Sequence, residues 1–199
     1  MPIDKIEEML KCTDARKRLA FQMVLQCAPL LKGLKPACIL NLKHDLYKEL
    51  NAVLAETDIS YVMLQRTASR CLILFYREKT FAKFICQDSV QCFLKEQGYA
   101  RMAIPHVIKR LKNRMKLFAN SENAFPHEMG VLLGYPLADV KGFMLHRGSK
   151  ALYTGYWKVY ENLQKAKETF REYDLAKHRA IYEFALGKTM TEITARQIA

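Results

Sequence analysis

Residues 59–77 hold the pattern that most restricts the fold. Two apolar segments, ISYVMLQRT and SRCLILFYR, rich in β-branched and aromatic residues, flank a short polar break at Thr67–Ser69. Segments of that kind on either side of a tight break predict an antiparallel hairpin. Two more stretches have strand character. ACILNL, residues 37–42, is short, apolar and partly branched, and LYTGYWKVYE, residues 152–161, alternates aromatic with other side chains. The expectation is an α+β fold: a small antiparallel or mixed sheet made of the hairpin and a strand near 152–160, with 37–42 as a further candidate, wrapped by helices.

The helices follow from the spacing of apolar residues. Ile6, Met9 and Leu10, then Ala20, Phe21, Val24, Leu25 and Ala28, keep helical steps on either side of Asp14, a capping residue type, and Pro29 is the expected stop. Leu46, Leu50, Val53 and Leu54 mark another helix, and Phe81, Phe84 and Ile85 a short one. Asp88 or Ser89 is placed to cap a helix that buries Val90, Phe93 and Leu94 and stops at Gly98. From Arg101 to Phe118 the apolar Ile104, Val107, Ile108, Leu111, Met115 and Phe118 fall on one face, with cations mostly opposite. In FPHEMGVLLGYPLADVKGFMLHRG, Pro126 and Pro136 suit first helical turns, and Gly134 and Gly148 suit left-handed helix ends, giving two short helices joined by a Gly-Tyr-Pro corner. Asn162 is positioned to cap a long helix through Leu163, Ala166, Phe170, Tyr173, Ala176, Ala180 and Phe184, closed by Gly187.

At 199 residues, half of them hydrophobic, the chain has the material for one ordinary domain, residues 1–199, and no repeat or linker divides it. The longest apolar runs, such as Cys71–Tyr76, are far below the roughly 20 residues of a membrane span. The start, MPIDKIEEMLKCTDARKR, lacks the apolar core of a secretory signal. Cys12, Cys27, Cys38, Cys71, Cys86 and Cys92 contain no C-x-x-C pair, so no zinc or other metal site is expected, and thiols inside CLILF, PACIL and FIC read as small core residues of a protein in a reducing cytoplasm.

Charge narrows the partners. The formal net charge is +12, from 32 basic and 20 acidic residues, and the most one-sided segment carries Arg101, Lys109, Arg110, Lys112, Arg114 and Lys116 with no acid. Such a helix suits phosphates of nucleic acid, although its charged side has no aromatic residue for base stacking. Three catalytic signatures fail. Val131 stands where a zincin helix would need its second His after His127-Glu128, Tyr182 replaces the first glycine that Gly187-Lys188-Thr189 would need as a phosphate loop, and no G-x-S-x-G elbow occurs.

FPHEMGVLLGYPLADVKGF followed by GYWKVY resembles the signature of the bacterial domain-of-unknown-function family 3793. CAPLLKGLKP (27–36) and FLKEQGY (93–99) extend the resemblance to about Cys27–Tyr173, with Met129, Met144 and the helical tail beyond Asp174 as departures. The resemblance implies no assigned activity and leaves the cofactor unknown. It implies an association with flavodoxin-like and iron-handling proteins, hence a redox or iron-handling protein partner.

Roles for single residues therefore come from their chemistry. His127 and Glu128 open a helix but point about 100° apart, so Asp139 is the expected partner of His127 if that imidazole acts as a general acid or base. On a strand, Tyr156, Lys158 and Tyr160 share one face, and Trp157 and Val159 the other, which should be the core. An aromatic-Lys-aromatic row stacks a planar ligand and holds its phosphate, or rims a core. Gly130 and Gly134 allow close approach of a ligand or of another helix. The leading expectation is an accessory protein binding a small anionic or nucleotide-like ligand through His127, Glu128, Tyr135, Asp139, Tyr156, Lys158 and Tyr160, with His127, Asp139, Tyr156 and Lys158 converging on one concave surface. The alternatives are a nucleic-acid module using Lys109, Arg110, Lys112, Arg114 and Lys116, and an enzyme in which Asp139 orients His127.

Overall fold

The computed structural model describes residues 7, 9, 11–120 and 124–195. The helix expected through Ile6, Met9 and Leu10 falls largely outside them. The described chain forms two compact units, residues 1–77 with 173–199, and residues 78–172. No helix among the described residues is long and apolar enough to cross a membrane.

In the first unit, α1 (Ala15–Leu31) is capped by Asp14, whose carboxylate accepts from the N–H groups of Arg16 and Lys17. The proline does not end it. Pro29 lies inside α1, and the helix runs on to a glycine signal in which the N–H of Leu34 reaches the carbonyl of Pro29 and that of Gly33, at φ 76°, reaches Leu30. This double bond satisfies the last carbonyls, which is why Gly33 overrides Pro29 as the stop. The chain then enters β1 (Ala37–Lys43), where Cys38, Leu40 and Leu42 turn into the core beneath α1.

Two short helices, α2 (His44–Lys48) and α3 (Leu50–Leu54), replace the single helix expected there. The hairpin forms as predicted from β2 (Ile59–Arg66) and β3 (Arg70–Arg77), with a bulge between Met63 and Gln65. β1 pairs with β3, so the sheet order is β1-β3-β2, antiparallel throughout.

Arg77 closes this unit. It is 2 % exposed, donates to the carbonyls of Leu30 at 3.3 Å, Leu31 at 2.8 Å and Thr194 at 3.0 Å, and pairs with Asp58. Its donors thus meet carbonyls at two helix ends, those of Leu31 and Thr194 and that of Leu30, which also accepts from Gly33.

The second unit is built from α4 (Glu78–Ile85), α5 (Asp88–Glu96), α6 (Ile104–Ala119), α7 (Glu128–Leu132), α8 (Leu137–His146), a two-stranded ribbon of β4 (Tyr153–Thr154) and β5 (Lys158–Val159), and the start of α9 (Leu163–Ala185). Asp88 is the first residue of α5, not its cap; Gln87 holds that position without a side-chain bond. Pro126 and Pro136 precede the first turns instead of entering them. The expected strand near 152–160 is a tight hairpin, and it forms a sheet of its own instead of joining β1-β3-β2. The reason is Gly155, which turns the chain mid-segment and lets Phe170 pack close; a Cβ there would lie 2.3 Å from the phenyl ring. Asn162 caps α9 through the N–H of Lys165, and α10 (Met190–Thr194) follows with a capping box between Thr189 and Glu192.

Candidate ligand-binding site

The second unit separates the residues of the 125–160 motif into buried braces and a half-exposed row. Glu128 is 1 % exposed, and both of its oxygens are held by Arg114 of α6, Nε to Oε1 at 2.9 Å and Nη2 to Oε2 at 3.3 Å. Tyr99 adds its hydroxyl at 3.2 Å to Oε1. Burial, and then the Glu128 charge beside it, push the Tyr99 phenol far above its ordinary range. A buried carboxylate is tolerable only with such partners, and a planar guanidinium matches it with two bonds.

Asp139 is the second brace. It is 4 % exposed and accepts from the indole Nε1 of Trp157 at 2.6 Å and from the backbone N–H groups of Tyr160 at 2.7 Å and Glu161 at 3.2 Å. Its place in the first turn of α8 puts the carboxylate where the chain leaves β5. The expectation that Asp139 orients His127 therefore gives way to a different partner. The only indole of the chain needs a buried acceptor, and Asp139 is that acceptor. Trp157 faces the core as expected, stacked on Tyr135 at 5.4 Å and edge-on to Phe170 at 4.5 Å. Gly130 meets Val140 and Tyr135, and Gly142 meets Tyr160, where a Cβ would lie 2.5 Å from the tyrosine Cβ, so both serve helix packing. Gly134, at φ 82°, makes the corner between α7 and α8.

What remains is a row of rings. Phe118, at the end of α6, stands edge-on to Phe125 at 5.3 Å; Phe125 is 5.5 Å from the His127 imidazole; His127 is 5.2 Å from Phe143; and the Lys158 ammonium lies 5.9 Å over the Phe143 ring. Phe118 and Phe125 are 42 % and 38 % exposed, and His127, Phe143 and Lys158 are half-buried. Lys158 also donates to the carbonyl of Gly148 at 2.6 Å. Of the four residues expected to converge, His127 and Lys158 do meet, through Phe143. Asp139 serves as a buried brace, and Tyr156 packs on Phe170 at 5.6 Å. Tyr160 stacks on His146 at 5.8 Å, and its buried hydroxyl has no hydrogen-bond partner among the described residues. Phe118, Phe125 and Phe143 escape a reading of the sequence because each sits at a helical or proline-flanked position that suits a core residue.

The basic helix is also divided. Val107, Ile108, Leu111 and Met115 are buried as expected, whereas Ile104 is half-buried and Phe118, at the end of the helix, is exposed. Arg114 turns inward to Glu128, and Arg110 reaches the carbonyl of Gln97 at 3.3 Å beside Gly98. Lys109 and Lys116 stay exposed and Lys112 half-exposed. Among the described residues, no group of three or more His, Cys, Asp or Glu side chains is placed to hold a metal ion.

A family model described as a protein of unknown function, DUF3793, matches residues 23–194. The chain belongs to this family. The family match starts before Cys27 and runs past Tyr173 to the end of α10, taking in the C-terminal helices that showed no resemblance by motif. No curated protein and no solved structure matches the chain.

A second cluster lies in the first unit and has no spacing signature. Cys27 of α1 and Cys38 of β1 bring their sulfurs to 2.7 Å, with the Cys27 thiol donating. Both are buried, Cys27 at 0 % and Cys38 at 7 % exposure. Lys35, 8 % exposed, acts electrostatically on both thiols and lies over the Tyr173 ring at 5.9 Å. Burial lowers the Lys35 ammonium from its usual range, although the two sulfurs oppose this. Burial raises the Cys27 thiol, while the hydrogen bond from Cys27, aided by Lys35, lowers Cys38. Cys71 is also a core thiol, whereas Cys86 and Cys92 are exposed, contrary to the core reading of FIC.

Proposed function

We propose that this chain is a binding protein whose second unit takes a small planar anionic ligand of the nucleotide class along the row Phe118, Phe125, His127, Phe143 and Lys158. The observation that carries the reading is the row itself: consecutive rings within stacking distance, partly open to solvent, ending in an ammonium. Half-exposed rings offer a face to a base or another flat heterocycle, at roughly 1–3 kcal/mol per stacked base. Lys158 uses one of its three N–H donors on Gly148, leaving donors for a phosphate. His127 serves as a donor beside that phosphate and needs no orienting carboxylate for this. The free thiols and the absence of long apolar runs fit a bacterial cytoplasm as the setting.

The test is fluorescence anisotropy of a mant-labelled ATP probe with the full chain. Saturable binding is expected, weakened about tenfold in Lys158→Ala and Phe143→Ala. Binding that neither variant changes would remove the row from the site. Competition by single-stranded RNA at lower concentration than by ATP, abolished by reversing Lys109, Lys112 and Lys116, would instead establish the nucleic-acid reading.

A further inference from the structure

We propose that Cys27 and Cys38 form a dithiol–disulfide exchange site for low-molecular-weight disulfides, with Cys38 as the attacking sulfur, Cys27 as the resolving sulfur and Lys35 as the positioning cation. The site is independent of the ring row, since it lies wholly in the first unit.

Geometry supports the pairing. At 2.7 Å the sulfurs are closer than unbonded thiols ordinarily sit, and a modest side-chain rotation reaches the about 2.05 Å of an S–S bond. The sequence separates them by a helix end, the Gly33 turn and Pro36, so no C-x-x-C motif announces the pair; packing of α1 on β1 creates it. The assignment of roles follows from environment. Cys38 is slightly less enclosed than Cys27, at 7 % against 0 % exposure, and accepts the Cys27 S–H; that bond and the Lys35 charge favour its thiolate against the burial that opposes it. Cys27 is sealed in the core and stays protonated. A buried lysine is costly, and the charge of Lys35 acts on both sulfurs.

The chemistry balances. Cys38 gives up its proton and its thiolate attacks one sulfur of R–S–S–R, forming a Cys38–S–S–R mixed disulfide and expelling RS⁻, which takes up a proton. Cys27 then attacks the Cys38 sulfur, its own proton passing to the second leaving thiolate. The protein dithiol is oxidised to a disulfide, and R–S–S–R is reduced to two RSH.

The test uses the reduced full chain with oxidised glutathione, quenched in acid and read by peptide mass spectrometry. A linked Cys27–Cys38 peptide should accumulate with release of two glutathione thiols per chain. Early time points should show glutathione on Cys38 and none on Cys27. Cys27→Ser should stop at the Cys38 adduct, and Lys35→Met should slow adduct formation about tenfold. Adducts confined to the exposed Cys86 and Cys92, with Cys27 and Cys38 recovered as free thiols from wild-type protein, would overturn the proposal. So would first attack at Cys27. Both of these outcomes are read on the wild-type chain and do not depend on whether a variant folds.

Discussion

His127 and Glu128 are adjacent, leave one short helix about 100° apart, and meet opposite surroundings. Glu128 is buried against Arg114 and Tyr99, whereas His127 lies half-exposed between Phe125 and Phe143. The same division separates Asp139, enclosed by Trp157 and backbone, from Lys158, which reaches the surface row. The carboxylates of the motif tie α6 to α7 and α8 to the β4–β5 ribbon, and its cation and rings form the row to which we assign the proposed ligand. Asp139, expected to orient the His127 imidazole, is instead committed to Trp157 and to backbone N–H groups.

Glu128 is where this contrast is most easily broken. Glu128→Ala should strand the Arg114 guanidinium and cost about 3–5 kcal/mol, lowering the melting temperature by roughly 2–4 °C per kcal/mol for a chain of this size. A calorimetric scan showing a change under about 0.5 kcal/mol would mean that Glu128 is not a brace. Asp139→Ala comes next, at roughly 2–4 kcal/mol, because three donors lose one acceptor. Its signature is local: emission of the single Trp157 should shift to longer wavelength as the indole loses its partner. An unchanged spectrum and melting temperature would contradict the brace.

Alkaline titration sharpens the contrast at Tyr99. Its phenol is raised in the folded state, so the stability it contributes is fully present below the ordinary tyrosine pKa of about 10 and is lost as pH rises beyond that value. Chemical denaturation across that window should show wild type losing stability more steeply than Tyr99→Phe. Equal slopes would show that Tyr99 is not shielded as described. Smallest of all, His127→Ala and Lys158→Ala should change stability by no more than about 0.5 kcal/mol, measured by the same scan.

Much of the fold is legible in the sequence, and the exceptions have physical causes. The hairpin, the β1 strand, the apolar face of α6 and the glycine ends of α5, α7 and α9 are local patterns, set by periodicity and left-handed turns. Pro29 misleads because a helix can hold a proline near its end when a stronger stop follows at Gly33. The 152–161 segment misleads because the alternation that points Trp157 and Val159 inward and Lys158 outward is kept in a hairpin bent at Gly155. Partners are the least legible. That Asp139 belongs to Trp157, Arg114 to Glu128 and Cys27 to Cys38 depends on which elements pack together, a property no local spacing encodes.

The most direct test of the division between brace and row is chemical-shift mapping of the full chain titrated with ATP. Saturable shifts are predicted for the Phe125, His127, Phe143 and Lys158 side-chain signals, with the Trp157 indole N–H held in place by Asp139 and little moved. Shifts confined to Lys109, Lys112 and Lys116, or no saturable shift at any ring of the row, would contradict it.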